Sequence, residues 1–173
     1  MKFGLFAMNY GTCADPQAAV RVGLHAEAAG LESLWTGEHI EFSAVNAFPR
    51  PVQPAGPPII IGGHSAPARR RAVTAGNGMY LFGLDVSEAR EEIHRIQADL
   101  DRYERPEALG RLELTVTPVD RFDGRVIEQY AAMGVDRLVL LPRLNSERAK
   151  RHEPVPADEI LRTIDTIATA ARQ

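Results

Sequence analysis

Three similar segments of eight residues recur along the chain, at positions 28–35, 74–81 and 132–139. Each has the small or apolar residues of a helix end, then a glycine at its third position, then a short apolar strand. The glycine is expected in the left-handed conformation that commonly ends a helix. Repeated helix–glycine–strand units make consecutive strands parallel. The repeat therefore predicts an α/β fold, either a doubly wound sheet or a barrel.

The hydrophobic pattern between and around these repeats predicts further elements. Strands are expected at residues 2–8, 33–36, 59–62, 79–82, 112–117 and 137–141. Helices are expected after Asp15, which precedes a proline, and after Asp85, which has the capping-box spacing to Glu88. The predicted buried stripes of the helices are Val20, Leu24 and Ala28; Ile93, Ile96, Leu100 and Tyr103; Val126, Tyr130 and Met133; and Ile160, Ile164 and Ile167.

The bulk composition is that of an ordinary globular protein and indicates a single domain over residues 1–173. A net charge of -3 gives no sign of a nucleic-acid partner. Cys13 is the only cysteine, so neither an internal disulfide nor a cysteine metal cluster can form, and no cluster has metal-ligand spacing. No stretch approaches the roughly 20 apolar residues that span a bilayer. We therefore expect a cytoplasmic protein without a membrane or nucleic-acid partner and without a metal.

The segment around residues 59–67 reads as a strand, a glycine turn and a helix start. Its three isoleucines suit a parallel strand covered on both faces. Gly62 and Gly63 allow a tight turn and a close approach of a ligand to the backbone. Ser65 is a good N-cap, and Pro67 is tolerated in the first helical turn. The pattern fits either a phosphate site at a helix N-terminus or a turn that only reverses the chain.

A proline-rich segment at residues 41–58 interrupts the alternation of strands and helices. Its five prolines exclude a helix across most of it. Parallel strands normally need a crossover helix, whereas these extended residues could span up to about 60 Å. Returning along a strand needs only about 20 Å. The segment is therefore long enough to cross the sheet or to reach a neighbouring chain.

Residues 1–9, 27–40, 50–85 and 135–142 resemble, in the same order, the luciferase-like monooxygenases. These are flavin- or deazaflavin-dependent (βα)8 barrels, and the likeness is greatest to the branch that uses coenzyme F420. Members carry two further βα units where this chain has only residues 41–58, and a full barrel typically needs about 250 residues. The resemblance thus implies a TIM-barrel-like fold of six parallel strands that lacks the third and fourth strands. Such a barrel is incomplete, or is completed by dimerisation.

The same resemblance implies where chemistry takes place. His39, at the end of the second strand, corresponds to a catalytic histidine near the reactive edge of the cofactor, and an imidazole pKa of about 6.5 suits proton exchange. The residues implied to bind the phosphate-bearing tail of the cofactor, F420 or FMN, are Gly62, Gly63, His64, Ser65 and Arg69. Arg69 fits equally well as an exposed helix arginine. Cys13 is expected to be a packing residue, and Tyr80 and Phe82 are expected in the core.

Three functions follow from these observations. The first is a flavin- or F420-dependent oxidoreductase, or monooxygenase, acting on a small organic substrate by hydride transfer or oxygen activation. The second is a shortened relative that binds flavin, or another phosphate-bearing ligand, without turnover. The third is a folded product of an internal deletion that has no site. Because the loss of two strands leaves sheet edges to be covered, we also expect a homodimer.

Overall fold

The computed structural model describes residues 1–6, 11–36, 58–119, 123–141 and 155–170. Within these ranges strands and helices alternate as the repeat predicts, except between residues 34 and 60, where no helix is described. Short 3-10 helices occur at Gly11–Ala14 and Glu107–Leu109. The strands are β1 (Lys2–Leu5), β2 (Ser33–Leu34), β3 (Ile60–Gly62), β4 (Gly78–Leu84), β5 (Glu113–Pro118) and β6 (Arg137–Leu140). The helices are α1 (Pro16–Ala28), α2 (Ala66–Ala75), α3 (Val86–Arg102), α4 (Gly124–Ala132) and a last helix, α5, at Ala157–Ala170.

The six strands form one parallel sheet in the order β2-β1-β6-β5-β4-β3. The first and last strands are neighbours, with Phe3 opposite Leu138 and Leu5 opposite Leu140. This adjacency is typical of a barrel. A contact between two rings shows that the sheet also curls. The ring of Trp35, just after β2, lies 5.1 Å from the ring of Tyr80 on β4, although β1, β6 and β5 lie between β2 and β4. The fold is a curled half-barrel, which confirms the prediction of an incomplete TIM-barrel-like sheet.

The main core lies between the convex face of the sheet and the helices. Met79, Leu81, Val116 and Leu138 are fully buried there, and Leu5 is fully buried in a second cluster with Val22 of α1 and Ile164 of α5. The predicted stripes of α3, α4 and α5 pack on the same side, with Ile96, Tyr130, Ile160, Ile164 and Ile167 buried. Asp85 closes the capping box with Glu88, as its spacing predicts. Every helix in the described ranges is too short or too polar to cross a membrane.

The predicted apolar stripe of α1 is wrong. Val20 and Leu24 are each 62% exposed and Ala28 is also exposed, whereas Val22 and Ala26 are buried. The helix has two apolar faces, and spacing alone does not reveal which one meets the sheet. In a complete barrel a helix after the second strand would lie beside the Val20 face. No described helix occupies that position.

Two further expectations need correction. The outermost strand β3 is not covered on both faces, because Ile60 and Ile61 are only partly buried and Ile59, just before the strand, is 56% exposed. Gly30 and Gly134 have the predicted positive φ, at 83° and 82°, but Gly76 has φ -98°. Close packing explains that third glycine, since a Cβ there would lie 3.0 Å from Cγ1 of Ile61 and 3.1 Å from the carbonyl oxygen of Ala72.

Candidate functional site

The glycine turn lies between the end of β3 and the start of α2, at the carboxyl ends of the strands. Gly63 adopts φ +107°, a conformation that strains any residue with a side chain. Its N–H donates a long hydrogen bond, 3.4 Å, to the carbonyl oxygen of Tyr80 on the neighbouring strand. A Cβ added at Gly62 would meet no atom within 4 Å. Gly62 therefore borders open space, while Gly63 supplies the positive φ with which the chain turns from β3 into α2.

Ser65 caps α2 as the sequence predicts. Its hydroxyl oxygen accepts a hydrogen bond from the N–H of Ala68 at 3.3 Å, and Pro67 occupies the first turn. In the part of the chain that the structure describes, the N–H groups of His64, Ser65 and Ala66 have no acceptor. Exposed N–H groups at the positive end of a ten-residue helix suit an anion.

Arg69 is on the first turns of α2, but its guanidinium is engaged with α3. Its Nε donates to Asp99 at 2.9 Å, and one terminal nitrogen donates to Glu92 at 2.9 Å and to the carbonyl oxygen of His64 at 3.1 Å. Only 13% of the Arg69 side chain is exposed. Burial disfavours the charged guanidinium, but the hydrogen bonds that it donates to Glu92 and Asp99 outweigh this effect and raise the pKa of Arg69. The structure thus places Arg69 close to the turn, with Nε and one terminal nitrogen already donating to carboxylates and to the carbonyl oxygen of His64.

His64 is exposed and lines a cavity of about 270 Å³ between the turn and α3. Carboxylates dominate the other wall, and all are paired. Glu88 accepts from the N–H of Asp85, Glu91 from Arg95, and Glu92 from both Arg69 and Arg95. Such a lining repels an anion. The phosphate role of His64 remains a prediction, and the turn offers an anion its main-chain N–H groups rather than this cavity.

Aromatic rings cover the concave face of the sheet near the turn. On β4, Met79 and Leu81 face the helices, whereas Tyr80 and Phe82 alternate with them and point inward. Phe6 lies 6.4 Å from Tyr80 and 5.9 Å from Phe82 between ring centroids, and Trp35 reaches Tyr80 from β2. Phe82 is 47% exposed, so the expectation that it lies in the core is wrong. The period-two alternation along β4 was the signal that distinguishes the two faces.

At the opposite, amino-terminal end of the strands, charged side chains pair across the concave face. Arg137 on β6 donates to both carboxylate oxygens of Glu32, at 2.8 and 3.0 Å, and also pairs with Glu113. The hydrogen bonds from Arg137 lower the pKa of Glu32. In barrels this end contributes to stability, whereas the carboxyl ends of the strands build the site.

Of the remaining predicted residues, Cys13 is a packing residue and His39 lies outside the described ranges. Cys13 is 4% exposed and packs with Leu5 and Val22, and burial raises the pKa of its thiol, as suits a packing residue. His39 lies outside the described residues, as does the proline-rich segment up to residue 57. The catalytic role of His39 therefore stays a prediction.

Comparison with known proteins identifies the family. A search of curated proteins found no match. The model of the family described as luciferase-like monooxygenase matches residues 37–133. This span is more than half of the chain and includes the glycine turn, the aromatic strand β4 and the Arg69 contacts. With this match and a parallel half-barrel in the described residues, the chain belongs to the luciferase-like monooxygenase family.

Proposed function

We propose that this protein binds the phosphate-bearing tail of FMN or F420 at the Gly62–Gly63 turn and is an oxidoreductase acting on a small organic substrate. The family generally binds flavin or F420 cofactors. The observation that carries the proposal is the open space beside Gly62 within the matched span. When bound, the cofactor supplies hydride transfer or oxygen activation.

The phosphate end of the proposed site rests on main-chain donors. The N–H groups of His64 and Ser65 are unpartnered among the described residues, and α2 adds the positive end of its dipole. Gly62 lets a phosphate approach the backbone without meeting a side chain. These are the features that a phosphate needs, and all of them belong to the main chain.

The ring end of the proposed site rests on the aromatic concave face. Phe6 and Phe82 present apolar surface suited to stacking against a planar ring and to excluding water. The turn and this face are directly connected, because Gly63 donates to the carbonyl of Tyr80. We propose His39 as the group that exchanges a proton near the ring.

A second candidate is a relative that binds flavin, or another phosphate-bearing ligand, without turnover. The observation that favours it is the strand order, in which the described sheet runs from β2 to β3 without the third and fourth strands of a complete barrel. Turnover distinguishes the candidates. Consumption of the reduced cofactor with a substrate supports the oxidoreductase, and binding alone supports the second candidate.

The test of binding is titration of the purified protein with FMN and with F420, followed by absorbance and fluorescence. We expect saturable binding of one of them, and at least tenfold weaker binding in Gly62→Val. Because a Cβ at Gly62 meets open space, the variant should unfold at the same temperature as the wild type. The control is Gly23→Ala on α1, where a Cβ makes an ordinary 3.6 Å contact with Leu34. No binding of either cofactor at high concentration refutes the proposed function, and unchanged affinity in Gly62→Val removes the turn from it.

We also propose that the protein is a homodimer. The edge strands β2 and β3 each have one neighbour in the described sheet, and both edges expose large apolar side chains, Leu34 at 46% and Ile59 at 56%. Val20 and Leu24 extend the apolar surface beside β2. Size-exclusion chromatography with light scattering should give twice the chain mass of 19.0 kDa. A monomer at every concentration tested contradicts this proposal.

A further inference from the structure

We infer that Arg69 is a positioning residue: it holds the His64–Ser65 peptide so that the N–H of Ser65 points toward a bound phosphate, and it does not contact the phosphate itself. This inference rests on the proposed function and deepens it. It replaces both alternatives of the sequence analysis for Arg69, the direct phosphate contact implied by the family resemblance and the exposed helix arginine.

The first argument is the set of partners that fixes the guanidinium. Asp99 holds Nε, and Glu92 holds one terminal nitrogen, each at 2.9 Å. Glu92 is itself held, because its second oxygen accepts from Arg95 at 2.9 Å and only 4% of its side chain is exposed. An arginine bound by two nearly buried carboxylates is costly to move, since leaving them would strand their charges.

The second argument is the direction of the peptide that Arg69 contacts. The same terminal nitrogen that binds Glu92 donates to the carbonyl oxygen of His64 at 3.1 Å. In a planar trans peptide, the C=O and the N–H of the following residue point in opposite directions. With the carbonyl of His64 directed at Arg69, the N–H of Ser65 points away from Arg69. That N–H has no acceptor among the described residues.

The third argument is electrostatic. In this cluster and the adjoining cavity, two guanidinium groups, those of Arg69 and Arg95, face four carboxylates: Glu88, Glu91, Glu92 and Asp99. A phosphate near the Arg69 side chain would meet negative charge, whereas one near the N–H of Ser65 would meet the positive end of α2. The arrangement therefore favours an anion at the main chain, with Arg69 behind it.

The experiment follows the amide signal of Ser65 in two-dimensional proton–nitrogen NMR spectra during titration with inorganic phosphate. We expect a saturable shift in the wild type and an affinity about tenfold weaker in Arg69→Lys, because a lysine cannot serve His64 and both carboxylates at once. The matched control is Arg105→Lys. Arg105 is also partly buried and also donates to carbonyls of α2, but at its other end, at Ala72, Val73 and Gly76. Its affinity for phosphate should equal that of the wild type.

A second variant, Asp99→Ala, separates the two roles by the sign of its effect and keeps the test usable if Arg69→Lys does not fold. A positioning arginine loses an anchor in this variant, so phosphate should bind more weakly. A directly contacting arginine loses a competing carboxylate, so phosphate should bind more tightly. Tighter binding in Asp99→Ala, equal affinity in Arg69→Lys, or no response of Ser65 in the wild type each overturns the inference. The FMN and F420 titrations test the proposed function independently of the phosphate titration. A protein that binds neither cofactor while Ser65 responds to phosphate refutes the proposed function and leaves this inference standing.

Discussion

Arg105 is expected to be one of the most stabilising side chains of the half-barrel, because it closes the carboxyl end of α2. One terminal nitrogen lies 3.1, 2.9 and 3.0 Å from the carbonyl oxygens of Ala72, Val73 and Gly76. Nε and the other terminal nitrogen donate to the loop carbonyls of Gly110 and Leu109. Burial lowers the pKa of Arg105.

We predict that Arg105→Met lowers the free energy of unfolding by about 3 kcal/mol. Hydrogen bonds from a charged donor contribute about 1.5–3 kcal/mol each, but three acceptors share one nitrogen, and water replaces part of the loss at a half-buried site. Methionine keeps the apolar stem, so the change isolates the donors. For a chain of this size the melting temperature should fall by about 6–12 °C. Such a loss leaves most domains folded.

The assay is urea unfolding followed by far-ultraviolet circular dichroism. Its control is Arg111→Met, because Arg111 pairs with Asp136 at the surface with 71% of its side chain exposed. An exposed pair contributes about 0–1 kcal/mol. If the free energies of unfolding of the two variants fall by the same amount within about 0.5 kcal/mol, the stabilising role assigned to Arg105 at the carboxyl end of α2 is wrong.

Two further predictions concern the opposite end of the sheet and the first helix. Because Arg137 lowers the pKa of Glu32 in the folded state, the stabilisation from this pair is present above the unfolded pKa of about 4.3 and is lost as the pH falls through the folded value. The difference in unfolding free energy between wild type and Glu32→Gln should therefore shrink below about pH 4, and a difference that is independent of pH between 3 and 7 contradicts this. On α1, Leu24→Ser should change stability by less than about 1 kcal/mol in a dilute monomeric sample, whereas Val22→Ala should cost about 1–3 kcal/mol, since Leu24 is 62% exposed and Val22 is fully buried. Thermal melts of the two variants check this, and the reverse order would mean that the wrong face of α1 has been placed against the sheet.

The sequence predicts well those features that depend on neighbours along the chain. The caps formed by Asp15, Ser65 and Asp85 use backbone groups two or three residues away, and the structure contains all three. The strands are found within a few residues of their predicted bounds, because each is a short apolar run between turn residues.

Features that depend on distant parts of the chain could not be predicted in the same way. Arg69 finds Asp99 thirty residues further on, and nothing near Arg69 in the sequence distinguishes this from an exposed arginine. Gly76 does not adopt the left-handed conformation of its two counterparts. Arg105, from another loop, binds the carbonyls at that helix end. For α1, periodicity identified the apolar face of Val20 and Leu24. It could not show that, among the described elements, no helix packs against that face.

The contact between Trp35 and Tyr80 also sets a length scale. Trp35, just after β2, reaches Tyr80 on β4 across the interior, so the six described strands are strongly curved, as in a small barrel. At the curvature of an eight-stranded barrel, the two strands by which the described sheet falls short of eight would correspond to three spacings of about 4.8 Å, or about 14 Å between the backbones of β2 and β3. A separation of that size fits two further strands of a parallel sheet. Two βα units grafted between residues 36 and 58 should close the cylinder while every described strand keeps its present register, which makes this chain a natural acceptor for building complete barrels from halves.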